Sequence, residues 1–306
     1  MSFNQPSPDS ANDAWDHLYQ TCSPMTREYL RGCPIPNAYH TIFIDGMNFS
    51  FHHYVSLKSV HSILKPFAMY IHGYSFPTEN LLFQKAVKAF NLTLVPARKA
   101  EKAFHIDLQT DEQSDVLRLE INALYGGIYS DLDVFWLKSM THEEPSLLRG
   151  QYEMVLAPRF NKTNHRTSLT NVILVNKRCA RFIQDWYKFY TLLADAPRKD
   201  FPTVLPQTMW QSLASENSTA SDLVHVEVER LQQPDVTLKQ FIHTPKGIKS
   251  WKWGKSIACN LFYDKYQKNH TFDDIKVVNN PIGRMARYIL WGDKTKAFDM
   301  NKDYFL

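Results

Sequence analysis

Short apolar runs alternate with helical segments through the N-terminal part of this chain. YHTIFI, FAMYIHG and NLTLVPA each have the length and the β-branched and aromatic content of a strand. Between them, Tyr54, Leu57 and Leu64 recur at helical spacing, and TENLLFQKAVKAF is a second helical segment. Parallel strands are joined by crossovers that are usually helices. This order therefore predicts an α/β layer, a mixed and mostly parallel sheet flanked by helices.

The remaining sequence extends this layer. SDVLRLEINALYGG predicts an amphipathic helix with Ser114 as its N-cap, and VLAPRF and NVILVN predict further strands. CARFIQDWYKFYTLLA predicts another helix, and beyond about residue 200 we expect a helical C-terminal portion. We expect an N-terminal extension over residues 1–34, one domain over 35–290 and a C-terminal tail over 291–306.

Composition argues against two classes of partner. The net charge of +4 over 306 residues is too mild for a nucleic-acid-binding protein and suits at most a local basic groove. The chain has no apolar run long enough to span a bilayer. Its polar N-terminus, MSFNQPSPDSANDAWDHL, lacks the charged-then-apolar pattern of a signal peptide. We expect no nucleic-acid partner and no membrane segment in this chain.

Cysteines and sequons bear on the cellular compartment. The four cysteines form no CxxC pair, which argues against zinc, and their spacing leaves free thiols and up to two disulfides open; they are Cys22, Cys33, Cys179 and Cys259. Five N-x-S/T sequons begin at Asn48, Asn91, Asn161, Asn217 and Asn269. This excess over chance favours the secretory pathway, and a cytoplasmic chain with accidental sequons is the alternative.

YGGIYSDLDVFWL places two carboxylates in a segment that otherwise has the composition of a buried strand. Asp131 and Asp133 are two residues apart, so on an extended strand they face the same side. Desolvating them without partners would cost several kcal/mol, so we expect them at the C-terminal end of the strand, where α/β sheets bind ligands. Hard oxygen ligands suit Mg²⁺ or Mn²⁺ and partners that carry phosphates.

The preceding helix adds three polar residues. Asp115, Arg118 and Asn122 lie at i, i+3 and i+7 on one side. Gly126 and Gly127 end the helix, because glycine readily takes the left-handed conformation. We expect this turn to bring the polar side and the aspartates together as a clamp for sugar hydroxyls beside a metal-bound diphosphate. Spacing alone explains Asp115 and Arg118 equally well as a surface ion pair worth a few tenths of a kcal/mol.

The same stretch carries a family resemblance. SDVLRLEINALYGGIYSDLDV couples an Asp-x-x-Arg helix to GGIY, a one-residue gap and D-x-D. It resembles the DXD region of glycosyltransferase family 32 and its sugar-binding relatives. Weaker similarity, to animal-type members, extends over about residues 35–265 through IPNAYHTIFID, LVHVEVERLQQP and WKWGKSIACNLFY. The resemblance implies a GT-A-like (Rossmann-like) fold, a nucleotide-sugar donor, a divalent metal and a retaining transfer to an acceptor hydroxyl. Because family members work in the Golgi lumen, it also favours that compartment.

The resemblance also implies roles by position. Asp133 would ligate the metal directly, and Asp131 would contact the ribose or sugar of the donor and support the metal shell. The strand at residues 39–45 would flank the nucleotide base, with Phe43 in place of a stacking Trp. With Asn122 added from its helical spacing, the expected donor-binding residues are Asp115, Arg118, Asp131, Phe43 and Asn122. No protein nucleophile is implied, because retention is usually explained by attack from the leaving-group side.

One departure from the family pattern bears on activity. Many members carry a histidine in the C-terminal segment, thought to approach the metal or the diphosphate, and Asn260 stands there in SIACNLFY. An amide oxygen can ligate a hard cation but cannot titrate, so Asn260 is the third expected metal ligand. His243 and His270 are the candidates to replace the missing imidazole, although such histidines are more often structural. Asn171 resembles a small polar position beside the acceptor.

Three functions follow from these observations. The first is a metal-dependent retaining glycosyltransferase of hexosyltransferase type, using Mn²⁺ or Mg²⁺ and a UDP-sugar to glycosylate a glycan, glycolipid or glycoprotein. The second is a degenerate member that binds a nucleotide sugar or glycan without turnover, motivated by Asn260. The third is a haloacid-dehalogenase-type phosphatase with Asp131 as nucleophile. The diglycine leaves too little strand before Asp131 for that chemistry, which disfavours the third function.

Overall fold

The structure is a computed structural model. It describes residues 11–25, 30, 32–44, 46–103, 106–141, 146–148, 152–159, 168–190, 202–216, 223–228, 230–231, 243–245, 253–261 and 270–292. Its helices are α1 Ala11–Cys22, α2 Phe51–Ser59, α3 Leu81–Phe90, α4 Thr110–Tyr125, α5 Arg181–Phe189, α6 Val204–Glu216, α7 Phe272–Val277 and α8 Pro281–Trp291. A π-helical turn over Val60–Leu64 extends α2. None of the helices within the described ranges is long and apolar enough to cross a membrane.

Most strands join one mixed sheet. The strands are β1 Ala38–Ile42, β2 Ala68–Gly73, β3 Thr93–Pro96, β4 Lys102–Ala103, β5 Ile106–Asp107, β6 Gly127–Ser130, β7 Val134–Trp136, β8 Met154–Arg159, β9 Ser168–Asn176, β10 Val224–Val226 and β11 Ala258–Asn260. The seven-stranded sheet has the order β10-β8-β9-β6-β1-β2-β3, and β9 runs antiparallel to both of its neighbours while the other pairs are parallel. Small antiparallel pairs form between β4 and β5 and between β7 and β11. The predicted α/β class with a mostly parallel sheet is confirmed, and the arrangement fits the GT-A-like expectation.

Apolar layers cover both faces of the sheet. Successive strand residues point to opposite faces, so Ile128 packs in one layer and Tyr129 in the other. The first layer lies under α2, α3 and α8, and its fully buried side chains include Val55, Leu57 and Ile71. The second layer lies under α4 and α5 and includes Leu119 and Trp186. Because β1 and β6 are buried on both faces, their open ends are where polar side chains can reach solvent.

The C-terminal helices pack against α2. Phe272 of α7 meets Phe51 edge-on, with ring centroids 4.9 Å apart. The hydroxyl of Tyr288 in α8 donates to the carbonyl oxygen of Leu137, at 3.4 Å, just after β7. The expected helical C-terminal portion is therefore present. Residues 293–306, most of the predicted tail, lie outside the described residues.

The N-terminal segment is bound to the domain. Leu18 of α1 is buried in the second apolar layer, and Cys22 forms a disulfide with Cys179, just after β9. The ammonium group of Lys177 donates to the carbonyl oxygen of Leu30 at 2.8 Å. Because of these contacts α1 packs against the domain, and the boundary between residues 34 and 35 stays a prediction. The cysteine pairing that the spacing left open is also settled for this structure, since Cys33 and Cys259 are free thiols.

Candidate functional site

The strand ends before the two aspartates. β6 stops at Ser130, and a turn closed by the Val134 N–H and the Asp131 carbonyl oxygen, 3.2 Å apart, carries Asp131 to Asp133. The chain then leaves the main sheet as β7. The prediction of one continuous strand with both carboxylates on one face is wrong here, because the turn breaks the alternation of side chains. Their expected position, the C-terminal end of the strand, is confirmed.

The diglycine forces the return of the chain from α4 to β6. Gly126 has φ 64° and Gly127 has φ 101°, both in the region that favours glycine. A Cβ on Gly126 would lie 2.4 Å from the backbone nitrogen of Arg178, and one on Gly127 would lie 2.6 Å from the backbone carbonyl oxygen of Ala38. Only glycine therefore fits at either position. The turn lays α4 antiparallel to β6, so the N-terminal half of α4 lies near Asp131.

Arg118 joins the helix to the aspartate turn. Its Nη2 lies 3.4 Å from Asp115 Oδ1 and 3.3 Å from Asp131 Oδ1. Its Nη1 donates to the Asn171 carbonyl oxygen at 3.0 Å, and Asn171 Nδ2 donates to Asp115 Oδ1 at 2.7 Å. The Asp131 side chain remains 28% exposed, whereas that of Arg118 is 7% exposed. One buried guanidinium thus holds two carboxylates at the rim of the sheet.

The cluster sets one guanidinium against two carboxylates, which fixes the charge state of its members. Burial alone would lower the pKa of the Arg118 guanidinium, but Asp131, Tyr129 and Asp115 outweigh that effect and raise it. Tyr129 donates to Asp131 Oδ1 at 2.8 Å, and the guanidinium carbon lies 5.3 Å from the centroid of its ring. Burial raises the pKa of the Tyr129 phenol well above its usual value. Arg118 therefore stays a cation, and Tyr129 stays a neutral donor to Asp131.

Sequence reasoning missed the aromatic partners of this cluster. Tyr129 lies within GGIY, and the signal for its role is that a carboxylate directly after a buried strand needs a hydrogen-bond donor. Tyr190 follows α5, and burial and the nearby charge of Asp115 raise the pKa of its phenol. Tyr190 lies far along the chain from both motifs, and no sequence signal pointed to it.

Asp133 lies against the C-terminal segment. Asn260 pairs with Val134 in the β7–β11 ladder, and the Leu261 N–H donates to the Asp133 carbonyl oxygen at 2.9 Å. Burial and the nearby charge of Asp133 raise the pKa of the Cys259 thiol well above its usual value, so Cys259 is a neutral thiol. The structure thus brings Asp133, the residue just before β7, close in the chain fold to Asn260, which pairs with its neighbour Val134.

Two serines of α2 hold the strand that follows Asp133. Ser56 Oγ donates to the Val134 carbonyl oxygen at 2.7 Å, and the Trp136 N–H donates to Ser59 Oγ at 2.9 Å. Both serines are fully buried. Ser56 and Ser59 lie at i and i+3 on one side of the helix, and buried hydroxyls at such positions require hydrogen-bond partners. These bonds fix where β7 begins and hence where the Asp131–Asp133 turn lies.

Two predicted donor-binding residues lie elsewhere. Phe43 is 3% exposed and packs in the core against Phe49 and Phe83, with centroids 6.5 and 6.1 Å away, so it offers no face to a base. Asn122 is fully buried and donates to the Arg118 carbonyl oxygen at 2.8 Å. The backbone carbonyl oxygen of Asn122 accepts a hydrogen bond from Asn176 Nδ2. Asn176 pairs with Gly127, at the opposite end of β6 from Asp131. The geometry supports neither assignment. Asp45 lies outside the described residues.

The two histidines weighed as replacements for the missing imidazole have structural contacts. His270 Nδ1 lies 3.0 Å from His52 Nε2 between the C-terminal portion and α2. His243 Nε2 lies 3.2 Å from the Leu261 carbonyl oxygen, next to Asn260. His243 is therefore the histidine nearer to the site, although its described contact is with the backbone.

The oxygen atoms at this rim fit a hard divalent cation. Asp131 and Asp133 are partly exposed carboxylates, and Asn260 lies one strand away. Within the described part of the chain, no cluster of three or more His, Cys, Asp or Glu side chains is arranged to hold a metal by itself. One or two carboxylates suit Mg²⁺ or Mn²⁺ when substrate phosphates and water supply the remaining ligands. The donor set thus fits a metal that binds together with a diphosphate.

Comparison with known proteins agrees with this site. Residues 75–155, which include α4, the diglycine and both aspartates, match the family described as glycosyltransferase sugar-binding region containing DXD motif. The match covers little more than a quarter of the chain. No curated protein matches the chain.

Several solved structures are similar in fold. The PaToxG glycosyltransferase is 17% identical, with a TM-score of 0.46, and the match covers 69% of this chain and 81% of that one. The apo glycosyltransferase GlyE of Streptococcus pneumoniae TIGR4 is 10% identical, with a TM-score of 0.45 and coverage of 74% and 55%. The 4-diphosphocytidyl-2C-methyl-D-erythritol synthase of Anaerococcus prevotii is 9% identical, with a TM-score of 0.33 and coverage of 62% and 86%. At such low identities and TM-scores these likenesses carry no conclusion about activity; the family match over residues 75–155 does support a glycosyltransferase that transfers a sugar.

Proposed function

We propose that this protein is a retaining glycosyltransferase of hexosyltransferase type. It transfers a sugar from a UDP-sugar to a hydroxyl of a glycan, glycolipid or glycoprotein, with Mn²⁺ as the favoured metal and Mg²⁺ as the second choice. The observation that carries the proposal is the cluster in which Arg118 binds Asp115 and Asp131 at the rim of the sheet. This cluster lies inside the segment that matches a sugar-binding region.

The cluster suits recognition of a sugar beside a diphosphate. Carboxylates accept hydrogen bonds from sugar hydroxyls, and a guanidinium donates to oxygen atoms in a fixed fork. Arg118 is held by Asn171 and Asp115 before any ligand arrives, so little ordering is needed on binding. In this proposal the Arg118 cation would stabilise the transition state by offsetting the negative charge that builds on the leaving diphosphate.

Asp133 and Asp131 would hold the divalent cation, with Asn260 as a third oxygen donor. When bound, that cation would neutralise charge on the diphosphate. The buried ladder of β7 and β11 would hold Asn260 beside the turn that carries Asp133, because Asn260 pairs with Val134 and the Leu261 N–H donates to the Asp133 carbonyl oxygen. No protein nucleophile is assigned, since attack from the leaving-group side gives retention without one.

A second candidate function is binding of a nucleotide sugar or glycan without turnover. Asn260 favours it, because an amide beside Asp133 cannot change its charge where many family members carry imidazole. The two functions share the donor site and differ in whether the bond to the diphosphate breaks.

Release of nucleoside diphosphate separates the two functions. Purified protein is incubated with UDP-, GDP- and other nucleotide sugars with Mn²⁺, with Mg²⁺ and with chelator, and free diphosphate is measured. We expect metal-dependent release from a UDP-sugar that Asp133→Ala abolishes while the variant keeps its unfolding midpoint. Donor binding by calorimetry with no release from any donor or acceptor would establish the binding-only function. No binding of any nucleotide sugar or glycan would refute both.

A further inference from the structure

Asn91 begins a sequon at the turn between α3 and β3. Asn91 ends α3 in the left-handed conformation, with φ 52°, and its N–H donates to the Val87 carbonyl oxygen. Its side chain is exposed, as is that of Thr93, whereas Leu92 between them is buried and fixes the turn against the core. Both sequon side chains are thus presented to solvent by a rigid turn.

The strand that follows is an edge of the main sheet. Within the described residues β3 pairs only with β2, and its end residues Thr93 and Pro96 are exposed. An exposed edge offers unpaired backbone groups to other chains and promotes aggregation unless something covers it. Pro96 blunts the C-terminal end of this edge, and a glycan on Asn91 would cover the N-terminal end.

A glycan there would leave the candidate site open. β3 is separated from β6 by β2 and β1, which places the two strands roughly 14 Å apart at the usual strand spacing. The strands are parallel, and Asn91 precedes β3 whereas Asp131 follows β6. The two residues therefore lie at opposite ends of the sheet as well as in different strands.

The disulfide supplies an independent indication of compartment. Cys22 and Cys179 are joined across a sequence separation of 157 residues and are both buried. Stable structural disulfides occur mainly in oxidising compartments such as the lumen of the endoplasmic reticulum, where N-glycosylation also takes place. An exposed sequon and a buried disulfide in one domain fit the same compartment.

We propose that Asn91 is an N-glycan acceptor and that its glycan shields the β3 edge from association. The proposal does not depend on the sugar-transfer activity, because the modification is made by other enzymes on this chain as substrate. It requires only the exposed sequon, the edge strand and passage through an oxidising, glycosylating compartment.

The first test uses the full-length protein from the cells that make it. Peptide N-glycosidase converts a glycosylated asparagine to aspartate, so peptide mapping after digestion reads each sequon. We expect aspartate at position 91 and, without reduction, a Cys22–Cys179 cross-linked peptide. Unmodified Asn91 in that protein would overturn the proposal, and so would free thiols at both cysteines.

Matched variants in a secreting eukaryotic host test the acceptor and its effect. Asn91→Gly removes the acceptor but keeps a residue suited to φ 52°, and Thr93→Val removes the hydroxyl but keeps a β-branched strand residue. Both should lose one glycan, whereas Thr93→Ser should keep it. Enzymatic deglycosylation should speed aggregation of the wild type. In Thr93→Val the enzyme finds no glycan at position 91 and should leave that asparagine unchanged. An unaltered glycan count in both loss variants, or equal aggregation of glycosylated wild type and Thr93→Val, would contradict the proposal.

Discussion

Arg118 Nη2 lies 3.3 Å from Asp131 Oδ1, an ion pair between the middle of α4 and the turn after β6. The guanidinium is nearly buried and the carboxylate is more than a quarter exposed, so the pair spans the boundary between the core and solvent. It couples the D-x-D turn to the Asp-x-x-Arg helix. The two motifs therefore form one structural unit, and a substitution in either should alter the position of the side chains in the other.

Removing Arg118 should impair both stability and donor binding. Arg118→Ala removes the guanidinium that lies between Asp115 and Asp131, and we expect a loss of about 3 kcal/mol in the free energy of unfolding. Turnover should fall roughly 100-fold or more, because a charge that stabilises the transition state is lost. Urea unfolding and a nucleotide-sugar assay measure the two effects.

A surface pair provides the control for Arg118. Lys276 and Asp273 form an exposed ion pair at 2.7 Å on α7. Lys276→Ala should change stability by less than about 1 kcal/mol and leave turnover unchanged. If Arg118→Ala and Lys276→Ala behaved alike, the cluster would have no special role.

The two glycine variants Gly126→Ala and Gly292→Ala separate steric clash from backbone strain. Both glycines have positive φ, 64° and 70° respectively, but a Cβ on Gly126 meets backbone atoms at 2.4 Å whereas one on Gly292 meets nothing within 4 Å. Gly292→Ala should cost about 1–2 kcal/mol, the cost of left-handed backbone. Gly126→Ala should cost at least about 2 kcal/mol more, since the α4–β6 turn must open. Thermal unfolding of the two proteins measures the difference, and equal losses would disprove the close approach.

The Cys22–Cys179 disulfide should anchor α1. Breaking it releases a loop closed across a sequence separation of 157 residues, and Cys22→Ser should lower the free energy of unfolding by about 2–5 kcal/mol. Protease cleavage within α1 should also become faster in the native protein. Cys33→Ser, at a free and partly exposed thiol, is the matched control and should leave both readings unchanged. Unchanged cleavage in Cys22→Ser would show that packing of Leu18 suffices to hold α1.

The local features of this site could be predicted from sequence because they depend on near neighbours. The diglycine ended the helix as expected, and the i,i+3 spacing of Asp115 and Arg118 put both on the side that meets Asp131. The α/β order followed from alternating strand and helix patterns. These signals are contained within segments of about 20 residues.

What failed depended on distant parts of the chain. Phe43 follows β1, which is buried on both faces. Its sequence therefore has no alternation of polar and apolar residues to indicate which side chains reach solvent. Asn122 shares the polar side of α4 but lies ~10 Å along the helix axis from Asp115, which takes it to the other end of the sheet. The break after Ser130 requires β11 as a partner for β7, and the disulfide joins residues with no local signal. Tertiary contacts decided each of these features.

Acid should destabilise the fold through a buried histidine pair. His40 Nδ1 and His72 Nε2 lie 3.0 Å apart inside the sheet layer, between the rings of Tyr70 and Tyr125. Burial lowers the pKa of His40 to about 3, and burial and then His40 lower that of His72 well below its usual value. A pair of this kind needs one neutral donor and one neutral acceptor. Neither ring can take up a proton cheaply in the folded state.

The sign of the pH effect follows from these pKa values. Above about pH 6.5 both rings are neutral in the folded and unfolded chains, so they impose no penalty. Below that pH both histidines bind protons in the unfolded chain, whereas in the folded chain burial keeps His40 neutral down to about pH 3 and also disfavours protonation of His72. Stability therefore falls by ~1.4 kcal/mol per pH unit for each histidine that is protonated only in the unfolded chain. Urea unfolding between pH 7 and pH 4 should show this slope. His40→Gln should reduce the slope by the contribution of one histidine, whereas His61→Gln, at an exposed position, should change the slope far less. A slope that His40→Gln left unaltered would mean that the pair is not the group that titrates.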